Sequence, residues 1–151
     1  QTAVMTTLRE ELHCAELYLE IMQFRFRNRF IYRSEIDESL LSAALPPFSL
    51  QPLIENAILH GGKDDDKPLL IVLAAKKMEN LLEISITDNG IGMTREKLEE
   101  IRQRMNRETG KGLGLYNVQR RIQILFGEQY GLVIQSEPRT GTKMTIRLPV
   151  G

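Results

Sequence analysis

Three short stretches carry residue types and spacings that could do chemistry. The first, Leu53-Ile-Glu-Asn-Ala-Ile-Leu-His-Gly61, sets Glu55, Asn56 and His60 into an otherwise apolar run. Asn56 and His60 are four residues apart, so on a helix they share one face. The bland alternative is a polar pair at the wet edge of a packed helix, satisfying each other or a loop. The second stretch, Thr87-Asp-Asn-Gly-Ile-Gly-Met93, follows directly on a strand-like run. Gly90 and Gly92, either side of Ile91, let the backbone come close to a ligand with the Asp88 carboxylate fixed beside it. Asp-Asn-Gly is also ordinary turn chemistry. The third, Gly110-Lys111-Gly112-Leu113-Gly114-Leu115, runs straight into a helical pattern. Glycines before a helix N-terminus form a phosphate cradle, through free backbone N–H groups and the positive end of the helix dipole. A flexible connector has the same composition. Each stretch is weak alone, but the three in this order and at these separations are specific.

The elements that must position them can be read from the pattern. The chain of 151 residues suits one domain with a short appendage. Twenty basic and twenty acidic side chains give zero formal net charge, which argues against a dedicated nucleic-acid binder. A lone cysteine, Cys14, excludes a disulfide framework within the chain. No apolar run approaches the ~18 residues of a membrane span. Gln1 opens in what reads as helix, so the sequence is expected to be a piece of a longer chain.

Residues 4 to 30 read as one helix, with Met5, Leu8, Leu12, Ala15, Leu19, Met22 and Phe26 in a heptad seam and Tyr18, Ile21 and Phe24 broadening it. Two readings fit that seam: a helix packed on its own domain, or a bundle or dimerisation helix. Phe30–Ile36 predicts a strand, and Phe48–His60 a helix entered through Pro46-Pro47. Leu69–Ala75 and Leu82–Thr87 predict a hairpin. Thr94 can cap a helix reaching about Asn106, and Gly127 can close a helix over Leu115–Phe126. Tyr130–Ser136 and Lys143–Leu148 predict two more strands, joined through Pro138 and Gly141. The order of elements indicates an α+β fold with a mixed or antiparallel sheet covered on one face.

The three stretches together resemble the asparagine box and the two glycine boxes of the ATP-binding domain shared by gyrase B, the ninety-kilodalton heat-shock chaperones, MutL and the sensor histidine kinases. The likeness runs from about Phe30 to the C-terminus. Pro46–Gly61, the Glu-Leu…Tyr-Leu-Glu-Ile…Arg-Phe pattern of residues 11–26 and Gly-Leu-Gly-Leu-Tyr-Asn-Val-Gln-Arg-Arg (112–121) resemble the LytS-like sensor histidine kinases in particular. The resemblance implies a two-layer α/β sandwich of the Bergerat type, with about five mixed strands under three helices and preceded by a long helix. It divides the chain into residues 1–29, the second helix of a dimerisation segment, and residues 30–151, the catalytic domain. The cofactors it implies are ATP and magnesium.

The same resemblance assigns roles. Asn56 would hold the magnesium ion that bridges the phosphates, with His60 on the phosphate side. Asp88 would accept from the adenine amine, and Gly90, Ile91 and Gly92 would leave room for the nucleotide. Met93 to Gly110 would be a lid, and Gly110, Lys111, Gly112, Leu113, Gly114 and Leu115 would close over the phosphates. Thr142 would reach adenine through water. The family reaction moves the γ-phosphoryl group of ATP to a histidine and then to an aspartate on a response regulator. The parent would be a homodimeric, membrane-anchored bacterial sensor with this domain in the cytoplasm.

Two positions depart from the family pattern. Leu59 stands where many relatives carry lysine, and Lys63 or Lys111 could supply the charge instead. Pro52 stands where the hydrolysing relatives place their water-activating carboxylate, which argues against a hydrolase of the gyrase–MutL kind. Glu55, one residue from Asn56, points about 100° away around a helix, so a phosphate-side role and a simple cap contact both stay open. Neither histidine, His13 nor His60, sits in a phosphoacceptor motif, so the acceptor is expected outside these residues. The alternative function is a degenerate nucleotide-binding and dimerisation module without kinase activity.

Overall fold

The computed structural model describes residues 4–25, 29–60, 68–107 and 114–150. In chain order its elements are β1 (Thr6–Thr7), α1 (Leu8–Arg25), β2 (Phe30–Glu35), a 3-10 turn (Glu38–Leu40), β3 (Ala44–Leu45), α2 (Gln51–His60), β4 (Leu69–Met78), β5 (Leu81–Asp88), α3 (Arg95–Met105), α4 (Gly114–Phe126), β6 (Gly131–Glu137) and β7 (Gly141–Pro149). The period-two runs assemble into one five-stranded sheet in the order β2-β4-β5-β7-β6. β2 runs parallel to β4, and every other neighbouring pair is antiparallel. The sheet is therefore mixed, as the sequence predicts.

Alternation fixes which face is covered. Ile71 and Leu73 on β4, Leu82, Ile84 and Ile86 on β5, Met144, Ile146 and Leu148 on β7, and Leu132 and Ile134 on β6 are all buried. They line up across the strands: Ile84 and Leu132 both pair with Ile146, and Ile86 and Ile134 both pair with Met144. Helices α2, α3 and α4 pack on the sheet, and α1 packs on α2. The α2 stripe of Leu53, Ile54 and Ala57 and the α4 stripe of Leu115, Val118 and Ile122 fill the layer between.

The first helix departs from expectation at its start, and its seam follows one of the two readings the sequence allows. It starts at Leu8, because Thr6 and Thr7 pair with Leu45 and Ala44 in a small second ladder. Thr7 Oγ1 accepts from the Glu10 N–H at 3.2 Å, and the N–H groups of Leu8 and Arg9 donate to the carbonyls of Ala43 and Leu41. The first-turn donors of α1 thus find partners in the segment that leads to α2. The heptad seam is also turned inward: Leu8, Ala15 and Leu19 are buried in the common core, with Leu12 and Met22 packed against it. Phe26 lies outside the described residues. Of the residues expected to broaden the seam, Tyr18 packs against the core while Ile21 and Phe24 are exposed. Tyr32 on β2 adds a second tie, donating its phenol to Glu16 Oε2 at 3.1 Å, and burial pushes its pKa up to about 12.

The entry to α2 also differs. The predicted helix begins at Phe48, whereas Phe48 has φ 61° and α2 starts at Gln51. The Leu50 carbonyl accepts from the N–H groups of Leu53 and Ile54, so Leu50 is the boundary residue. A left-handed backbone at a bulky residue costs on the order of 1–3 kcal/mol and persists only where its surroundings hold it.

Candidate functional site

Polarity breaks the core pattern at one end of the sheet. Asp88 continues the buried series Leu82, Ile84, Ile86 on β5, Thr142 continues Met144 and Ile146 on β7, and Ser136 continues Leu132 and Ile134 on β6. Register puts them side by side, Asp88 opposite Thr142 and Thr142 opposite Ser136. Three polar residues thus close the core face in a transverse row, where alternation alone asks for three apolar ones.

Asp88 is 6% exposed. Its Oδ1 accepts from the Gly90 N–H at 2.9 Å. Burial raises its pKa above the ordinary carboxylate value, opposed in part by the backbone N–H groups of Gly90 and Thr142. Among the described residues no cation pairs with it, so burial of this carboxylate is costly. At the far end of the row Ser136 Oγ accepts from the Met93 N–H at 2.8 Å and lies 2.9 Å from both the Gly141 carbonyl and Thr142 Oγ1. One hydroxyl therefore ties the first glycine loop to the β6–β7 hairpin and to Thr142.

The loop after β5 is pressed onto that hairpin. Gly92 has φ 68°, and a Cβ there would sit 1.9 Å from the Glu137 carbonyl oxygen. A Cβ on Gly141 would sit 1.9 Å from the carbonyl oxygen of Asp88. Both glycines exist for close backbone approach. The exposed Ile91 has its carbonyl bonded by the Arg139 N–H at 2.6 Å. Asn89 fixes the other side, its Oδ1 accepting from the Leu70 N–H at 2.8 Å while its own N–H donates to the Leu70 carbonyl at 3.3 Å. Ser136, Gly141 and Asn89 were missed as site residues in the sequence. Glycine spacing signals the loop, and nothing local signals what the loop lies on.

Asn56 and Glu55 are both half-buried on α2. Glu55 Oε1 accepts from Gln51 Nε2 at 3.2 Å, and its charge acts on the Tyr18 phenol of α1, raising a pKa that burial raises first. Glu55 is thus engaged on the α1 side of the helix. His60 is the last residue of α2. Leu59 is exposed. Gly114 opens α4 beside α2: a Cβ on it would stand 3.5 Å from Pro52 Cβ, and Leu115 behind it is buried. Gly110, Lys111, Gly112 and Leu113 lie outside the described residues, as does Lys63. Among the described residues no group of three or more His, Cys, Asp or Glu could hold a metal ion. A single neutral oxygen such as that of Asn56 still fits magnesium, which keeps waters and takes most of its remaining ligands from substrate phosphates.

A family model described as histidine kinase-, DNA gyrase B- and HSP90-like ATPase matches residues 49–151. The chain belongs to this ATPase family. Relatives of this ATPase domain include the sensor histidine kinase YesM of Bacillus subtilis, 37% identical over 96% of the chain, and the sensor protein LytS of Staphylococcus saprophyticus, 38% identical over 95% of it. The chain spans about a quarter (24%) of the length of either relative. In structure it resembles the catalytic domain of the histidine kinase ThkA, with TM-score 0.71 and 15% identity over 99% of this chain and 97% of that one. ThkA in complex with the response regulator protein TrrA matches 98% of the chain and 42% of the kinase, with TM-score 0.68 and 14% identity. At such identities the structural likeness establishes the fold.

Proposed function

We propose that this domain binds magnesium–ATP as the catalytic part of a two-component sensor histidine kinase, supplying the γ-phosphoryl group to a histidine outside residues 1–151. The observation that carries the reading is the row of buried Asp88 and half-buried Thr142 and Ser136 beneath the first glycine loop, in a chain over a third identical to sensor kinases along nearly its whole length. Asp88 accepts from the exocyclic amine of adenine. Thr142, held by Ser136, reads the base through water, and Gly90, Ile91 and Gly92 form the wall beside it. Gly110 to Leu115 close over the phosphates, with Lys111 and His60 on the phosphate side.

Asn56 would hold a magnesium ion, which would supply charge neutralisation at the phosphates. An imidazole nitrogen is itself a nucleophile, so the work left to the chain is positioning and charge compensation. The phosphoryl group leaves ADP for the imidazole, and from there passes to an aspartate of a response regulator. Glu55, already bonded to Gln51 and beside Tyr18, serves the α1–α2 contact rather than the phosphates. Residues 1–29 belong to a dimerisation segment of a homodimeric sensor anchored in a bacterial membrane, with this domain in the cytoplasm. Among the described residues no helix is long and apolar enough to cross a membrane. Titration with a fluorescent ATP analogue, with and without magnesium, tests the reading: saturable binding that magnesium strengthens is expected, and no binding would overturn it.

A further inference from the structure

The turn that opens α2 is gripped from two sides. On one side is Glu11 of α1, only 8% exposed. Its Oε1 accepts from the N–H groups of Ser49 at 2.8 Å and Leu50 at 3.2 Å, and its Oε2 from that of Phe48 at 3.1 Å. Three successive N–H groups converging on one carboxylate make an anion nest, and the left-handed φ of Phe48 is what turns them to one side. On the other side is Arg121 of α4, which donates to the carbonyls of Pro47 at 2.5 Å and Phe48 at 3.2 Å. Ser49 Oγ closes the turn on the Pro46 carbonyl at 2.6 Å. Donors and acceptors of one short segment are thus divided between α1 and α4. The helix that segment launches carries Asn56, and α4 begins at the second glycine loop.

We propose that Glu11 is a positioning residue for the nucleotide site, setting the placement of α2, and with it Asn56, through the N–H nest of residues 48–50. The base-reading row lies on the sheet, whereas Asn56 rides on α2. Loss of the Glu11 contact should therefore fall on the phosphate and magnesium end of the ligand and spare the base end. By linkage, magnesium–ATP should tighten the nest, so nucleotide occupancy and the seating of α1 are coupled. This rests on the function proposed above and adds a residue far from it in sequence.

The test compares adenosine with magnesium–ATP on the whole 151-residue chain. Glu11→Gln should weaken magnesium–ATP about tenfold and leave adenosine affinity within twofold, and Glu11→Asp should fall between wild type and Glu11→Gln for magnesium–ATP. Equal weakening of both ligands would reduce Glu11 to a general stabiliser, and no weakening of either would remove its role. Should Glu11→Gln fail to fold, amide exchange on the wild-type chain decides. The Phe48, Ser49 and Leu50 amides should slow at least threefold more with magnesium–ATP than with adenosine, and equal slowing overturns the proposal. A wild-type chain that binds neither ligand would instead overturn the nucleotide reading itself.

Discussion

Burial of the Asp88 carboxylate raises its pKa, so the folded chain holds that proton more tightly than the unfolded chain does. Between the ordinary carboxylate value and the raised one, the native state binds more protons. Stability therefore falls as pH rises through that window and levels off above it. In the proposed site the adenine amine is bound better by the ionised form, so nucleotide affinity should rise over the same window. Denaturant midpoints and ATP affinity measured across it should move in opposite directions. Asp88→Asn keeps the oxygen that meets the Gly90 N–H and removes the buried charge. It should leave the nucleotide-free domain as stable or more so, and weaken ATP by roughly 1.5–3 kcal/mol, the worth of a hydrogen bond to a charged group. Calorimetric titration showing unchanged affinity would take Asp88 out of the base pocket. Ser136→Ala strands the Met93 N–H and the Thr142 hydroxyl and should cost about 1–3 kcal/mol of stability. Asp88 stands out in the sequence because Gly90 and Gly92 follow it closely. Ser136 was not, since its three partners lie 5, 6 and 43 residues away.

At the scale of elements, the strands, hairpin and two closing helices follow from local periodicity and from residues that act locally. Thr94 caps α3, accepting from the Lys97 N–H at 3.2 Å, and Gly127 ends α4 with φ 117°. The heptad seam of α1 was ambiguous for a physical reason: the same spacing of Leu8, Ala15 and Leu19 serves a partner helix or the chain's own core. In this structure the seam faces the core and α2, a contact that spacing does not encode. The segment expected to form a lid is a second case. Met93 to Gly110 reads as a charged segment with a thin apolar stripe, expected to be mobile without nucleotide. Within its described part, α3 is anchored by buried Leu98 and Met105 and by Arg102, which donates to the Ile134 carbonyl at 2.5 Å. Buried Gln119 of α4 donates to the Met105 carbonyl at 3.2 Å and to Asn106 Oδ1 at 3.3 Å, holding the end of α3. Gln119→Leu fills the space but removes the donor. Hydrogen exchange should then quicken at residues 102–107 and stay unchanged in β5 and β7. Equal protection in variant and wild type would show that packing alone holds α3.

For the whole molecule, the question is whether a domain that binds ATP can also phosphorylate itself. Transfer needs an imidazole that reaches the γ-phosphoryl group in line with the leaving oxygen. The chain has two histidines. His13 is exposed on α1, two residues from Glu11, and α1 is seated by Glu11 on the turn before α2 and by buried Leu8, Ala15 and Leu19 on the core. To swing His13 toward its own site the helix would have to give up those contacts together. His60 is the last residue of α2, outside any acceptor motif. Among the described residues hydrolysis has no evident base either, since Pro52 occupies the turn before Asn56 and Glu55 is bonded to Gln51. Incubation of the 151-residue chain with γ-labelled ATP should therefore leave the protein unlabelled and release little phosphate, although the nucleotide binds. A longer chain that carries an acceptor helix should restore transfer, in mixture if the two form a shared dimer. Acid-labile label on His13 of the 151-residue chain would show that α1 leaves its seat, and that the Glu11 contact is a resting state rather than a fixed one.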